Sequence, residues 1–119
     1  MFIKNLAACD EFVAGDNTVL RELLHPDKVV VSLRYSLAHA VLRPKTTSHV
    51  HSLTTSEVYF ILQGEGRMHI DDEVEVVRVG DMVYIPPNAK QHIENIGEAN
   101  LMFLCIVDPA WRKDDERIF

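Results

Sequence analysis

Cysteine occurs twice in 119 residues, at Cys9 and Cys105, each in an apolar context. Two distant thiols make neither a disulfide framework nor a CxxC metal knuckle, so both are expected as buried free thiols. No apolar stretch reaches the 18 or so residues a membrane-spanning helix needs. The opening MFIKNLAACD carries no apolar core of a secretory leader, and the expectation is a cytoplasmic protein. Basic residues are the minority, 12 Lys and Arg against 18 Asp and Glu, for a formal charge of -6. No basic stripe is present to neutralise phosphates, which argues against nucleic acid and anionic membrane surfaces as partners. With five Gly and five Pro, collagen and low-complexity chains are excluded too.

What is present is globular: 47% hydrophobic and 25% charged residues. The length suits one domain, residues 1–119, able to hold a core without staples. Turn signals recur along the whole chain, among them Gly15-Asp16-Asn17, His25-Pro26-Asp27, Gln63-Gly64-Glu65-Gly66, Gly80-Asp81, Pro86-Pro87-Asn88 and Asp108-Pro109. Most lie about 5 to 15 residues apart, which suits short strands and leaves little room for helix. Strand-like runs are Val29–Leu42, Val58–Leu62, Val74–Val79, Met82–Ile85 and Leu101–Val107. Val74, Val76, Val77 and Val79 alternate with one slip, which predicts a bulge. Asp108-Pro109 reads as the start of a short helix running through Trp111 to Glu116. The expected class is all-β, a sandwich or barrel.

Six histidines stand at 25, 39, 49, 51, 69 and 92. On a strand, His49 and His51 point to one face, roughly 6 to 7 Å apart at the backbone. Two imidazoles so placed can converge on an ion. Glu57 opens the apolar run Val58–Leu62 and offers an oxygen ligand. Such a set suits divalent Mn, Fe, Ni, Co or Zn.

These residues resemble the cupin family. HVHSLTTSEVYFILQGEG is similar to the first cupin motif and GDMVYIPPNAKQHIEN to the second, placing them at about residues 49–64 and 80–95. The resemblance spans roughly Ser36 to Val107. It implies a double-stranded jelly-roll β-barrel with little helix, and a metal held by His49, His51, Glu57 and a second-motif histidine. Three departures stand out. One extra residue separates His51 from Glu57. Asn88 replaces a glycine at a turn needing positive φ, which Asn tolerates. The second-motif histidine slot holds Gln91, and His92 comes one residue late. A one-residue shift turns a strand side chain to the opposite face. Alternation groups Gln91 with Ile93 and Asn95, and His92 with Glu94. Register therefore favours Gln91 in the pocket, whereas ligand chemistry favours His92, and both stay as candidates.

By parity with Glu57, Tyr59 and Ile61 are expected to line the pocket, with Met68 and Ile93. His69 is expected outside, His25 in a structural turn, and Trp111 over one barrel end or a partner subunit. The resemblance implies a homodimer, and a small-molecule ligand. Two functions follow from it. One is a metal-dependent enzyme, dioxygenase-like or sugar-isomerase-like. The other is a non-catalytic barrel binding a small ligand such as a sugar.

Overall fold

A computed structural model describes all 119 residues. The strands are β1 (Glu11–Val13), β2 (Val19–Leu24), β3 (Ser36–Leu42), β4 (His51–Leu53), β5 (Ser56–Gln63), β6 (Glu65–Ile70), β7 (Glu73–Arg78), β8 (Met82–Ile85), β9 (Gln91–Asn95), β10 (Leu101–Asp108) and β11 (Glu116–Ile118). They form two sheets, β1-β2-β3-β10-β5-β8 and β11-β4-β9-β6-β7. All pairings are antiparallel. The all-β expectation and the two-sheet barrel agree with this arrangement.

Alternation drives the packing. Leu101, Phe103, Cys105 and Val107 of β10 are buried, and the residues between them are half-exposed. Tyr59 and Ile61 of β5, Met68 of β6, Ile85 of β8 and Ile93 of β9 meet that row in one core. The Tyr59 and Phe103 rings pack tilted at 40°, 4.4 Å between centroids. Two residues with positive φ make the reversals the motifs need. Gly64 sits at φ 88°, where a Cβ would also stand 3.0 Å from the Asn100 carbonyl. Asn88 sits at φ 68° in the Pro86-Pro87 turn, as its replacement of glycine requires.

Several elements differ from the sequence expectation. Only Ser36–Leu42 of the run Val29–Leu42 is a strand, and Val30 lies fully exposed. Residues 29–35 find no neighbouring strand, and β-propensity without a ladder does not make one. The bulge expected in Val74–Val79 is absent: β7 pairs with β6 continuously from Glu73↔Ile70 to Arg78↔Glu65. β7 is a sheet edge, so the outward Val74 and Val76 stay exposed and the alternation carries no slip. The helix expected from Asp108 to Glu116 does not form. Asp108 ends β10 opposite Ser56, and only Lys113–Asp115 make a 3-10 turn. Tertiary partners claim that backbone instead: Ala110 N–H donates to the Arg34 carbonyl at 2.8 Å and Trp111 N–H to Ser36 Oγ at 2.9 Å.

His25 is buried, its Nε2 2.8 Å from the Trp111 carbonyl, and thus ties the tail to the body. Cys9 and Cys105 are free and buried. No helix is long and apolar enough to cross a membrane.

Candidate functional site

The candidate site is a group of buried polar side chains between the two sheets. Glu57, second residue of β5, points inward on the same parity as Tyr59 and Ile61, and all three are buried. Gln91 opens β9 and is 1% exposed. Its Nε2 donates to Glu57 Oε1 at 2.9 Å, and its Oε1 accepts from the Tyr59 hydroxyl at 3.0 Å. One amide thereby joins a carboxyl and a phenol inside an apolar core.

This network sets the protonation of Glu57. Burial raises its pKa from the usual 4.5 to about 8. The Gln91 hydrogen bond works the other way, and the nearby Asp16 and Glu116 charges push it up further. At neutral pH Glu57 is therefore the acid, with Oε1 taken by Gln91 and its proton on Oε2. The same burial pushes the Tyr59 phenol and the Cys105 thiol well above their ordinary ranges, so both stay neutral.

His51 opens β4, directly opposite Gln91, and is 3% exposed. Its Nδ1 lies 2.9 Å from the His49 carbonyl. A carbonyl only accepts, so Nδ1 carries the proton and Nε2 presents its lone pair in the neutral ring. Nε2 lies 3.8 Å from Asp16 Oδ2, too long for a hydrogen bond. Asp16 belongs to the turn between β1 and β2. Its other oxygen accepts from Thr18 N–H at 3.1 Å and Thr18 Oγ1 at 2.7 Å. Glu116 of β11 completes the group. Burial raises its pKa, and the His51 and Asp16 charges act on it. Its Oε1 would stand 3.0 Å from a Cβ at position 15, so the bare Gly15 lets tail and turn meet.

The sequence-derived candidates thus separate. His51, Glu57 and Gln91 come together with Tyr59, and Ile61, Met68 and Ile93 pack around them in the core. His49 does not join them. It precedes β4 on an irregular segment, its side chain is exposed, and its N–H donates to the Asp16 carbonyl at 2.7 Å. The shared strand face expected of His49 and His51 needs an extended pair, and the strand begins only at His51. His92 turns to the outer face of its sheet, as the alternation of β9 demands. There it stacks on His69 at 4.0 Å, while His69 Nε2 lies 2.8 Å from Glu94 Oε2. Burial and the neighbouring His69 lower the pKa of His92. Asp16 and Glu116 were missed, because neither belongs to a motif. The Gly15-Asp16-Asn17 turn was visible; its approach to residue 116, about a hundred positions on, was not.

Residues 38–107 match the Cupin_2 family, described as a cupin domain, and the chain belongs to that family. It is 39% identical over 109 residues to the uncharacterized protein MJ1618 of Methanocaldococcus jannaschii, covering 90% of this chain and 86% of that protein. A 62-residue stretch is 34% identical to a gentisate 1,2-dioxygenase of Haloferax, covering 52% of this chain but only 17% of that enzyme. In three dimensions the chain resembles a Cupin 2 conserved barrel domain protein of Salinispora arenicola. The TM-score is 0.79 at 18% identity, over 96% of this chain and 91% of that one, a likeness of fold.

Many cupins hold a divalent ion, and the donors here can be tested against one. No three His, Cys, Asp or Glu side chains gather at metal-binding spacing. Gln91 occupies Glu57 Oε1, and His49 is exposed on the segment before β4. As arranged, these residues do not fit a three- or four-ligand ion.

Proposed function

We propose that this cupin binds a small polar organic molecule in its barrel through Glu57, Gln91, Tyr59 and His51, without a resident metal. The observation that carries the reading is the Tyr59–Gln91–Glu57 hydrogen-bond chain in the space where a metal set would converge. The chemistry open to the site is proton transfer. Glu57, which burial keeps protonated, donates from Oε2, and the lone pair at His51 Nε2 accepts. The barrel is a binding module first, and any turnover is of this acid–base kind.

A second reading keeps a divalent ion, Mn, Fe, Ni, Co or Zn, on His49, His51 and Glu57. The partial identity with the gentisate dioxygenase favours it. It requires His49 to turn inward from its exposed segment. Calorimetric titration of chelator-treated protein with each ion separates the two. Stoichiometric binding that His51→Ala abolishes supports the metal reading and overturns the first; no such binding in protein that does take up small polar ligands supports the first.

We also propose a homodimer. Phe60, Leu62, Met82 and Tyr84 are 40–61% exposed on the outer face of β5 and β8. Phe60 lies directly opposite Met82 in the ladder, and Tyr84 opposite Val58, so the apolar patch is continuous. Isolated outward apolar residues are ordinary, but a contiguous sheet face of this kind marks a contact surface.

A further inference from the structure

We infer that the barrel site takes ligands carrying a positive charge or none, and that Asp16 and Glu116 set this selection; the inference rests on the ligand-binding reading above.

The argument begins with what is buried. The buried polar side chains include Asp16, Glu57, His51, Gln91 and Thr55, and no Lys or Arg. Several cations are engaged elsewhere. Arg21, Arg67, Arg78 and Arg112 pair with Glu11, Glu94, Glu65 and Asp27, and Lys90 lies over the Phe119 ring. A carboxylate or phosphate leaving water needs a fixed cation or several donors in return. Here His51 is the sole group able to carry positive charge, and Asp16 already stands 3.8 Å from its Nε2. An anion brought to that nitrogen would meet Asp16 Oδ2 and the half-buried Glu116 across a medium that screens poorly.

Thr55 supplies an independent sign of a ligand. Its residue is 9% exposed and its Oγ1 has no hydrogen-bond partner. It sits in the bend between β4 and β5, two residues before Glu57. A buried hydroxyl without a partner is costly, and a polar atom of a ligand would satisfy it. Neutral ligand oxygens suit that hydroxyl and the site beside it. The charges flanking it, from Asp16 and Glu116, suit a cation.

One scaffold in three charge states tests this: glucuronate, glucose and glucosamine, titrated into chelator-treated protein by ligand-observed NMR and calorimetry. Glucosamine and glucose are expected to bind at least about tenfold tighter than glucuronate, the scale of one poorly screened charge contact. The double variant Asp16→Asn with Glu116→Gln keeps an oxygen for Thr18 and removes both charges. It is expected to gain at least about tenfold in glucuronate and oxalate affinity. Equal binding of the three sugars, or no gain in the variant, overturns the charge selection and leaves the binding site standing. No binding of any probe by either protein overturns both.

Discussion

Gln91 donates a hydrogen bond to Glu57 at 2.9 Å and, through its other amide atom, accepts one from Tyr59 at 3.0 Å. A histidine in that position would offer a lone pair to an ion. Gln91 instead spends both ends of its amide on two neighbours within the core.

Removing that amide strands two buried partners. Gln91→Leu should destabilise the fold by about 2–4 kcal/mol, since Glu57 loses its donor and Tyr59 its acceptor. Urea unfolding at pH 7 reads this directly. The double variant Gln91→Leu with Tyr59→Phe should recover part of the loss, because one orphaned group is gone.

Gln91→His should create a site the present residues do not form. Beside His51 and Glu57, a third nitrogen or oxygen donor becomes available, and Zn or Co affinity is expected to rise by at least about tenfold. Calorimetry on chelator-treated proteins checks it, and Co absorption reports the coordination number. Wild-type protein with equal affinity would mean Gln91 is no obstacle to the ion.

Glu57 makes stability depend on pH in a defined direction. Its folded pKa of about 8 exceeds the ordinary 4.5, so the folded state holds the proton more tightly. The stability this contributes is full below pH 4.5 and is lost as pH rises through 8. Between those values unfolding free energy should fall by up to about 1.4 kcal/mol per pH unit from this group. Glu57→Gln should flatten that slope, and chemical denaturation at pH 6, 7, 8 and 9 compares the two.

The apolar outer face of β5 and β8 predicts an association that charge would break. Phe60→Glu with Met82→Lys should shift the protein to monomer in sedimentation while leaving the far-ultraviolet circular dichroism unchanged, because both side chains point out of the core. A monomeric parent protein would remove the dimer from consideration.

The barrel and the inward row of β5 were legible in local pattern. Turn chemistry bounded β5, β8 and β10 to within two residues, and the positive φ at Asn88 was implied by residue type. Parity favoured Gln91 inside and ligand chemistry favoured His92; the burial of Gln91 on β9 follows parity, since strand side chains alternate whatever the partner. Propensity misled where no partner strand exists, as at Val29–Tyr35. It misled again at Asp108-Pro109, where a capping signal lost to strand pairing with Ser56.

By itself, then, the sequence determined the fold class, the shared parity of Glu57, Tyr59 and Ile61, and the acid-rich balance of the chain, and left Gln91 and His92 as alternatives. Those are properties of period, turn chemistry and composition, which act over a few residues. Only the tertiary structure decided that His49 stays outside while Asp16 and Glu116 close on His51. It also decided that Gln91 bridges Glu57 and Tyr59. Each of these is a meeting of residues far apart in the chain, fixed by which strands pair and how the two sheets face. Burial then completes the chemistry, because desolvation between the sheets is what turns a carboxyl of ordinary pKa into an acid that keeps its proton near neutral pH.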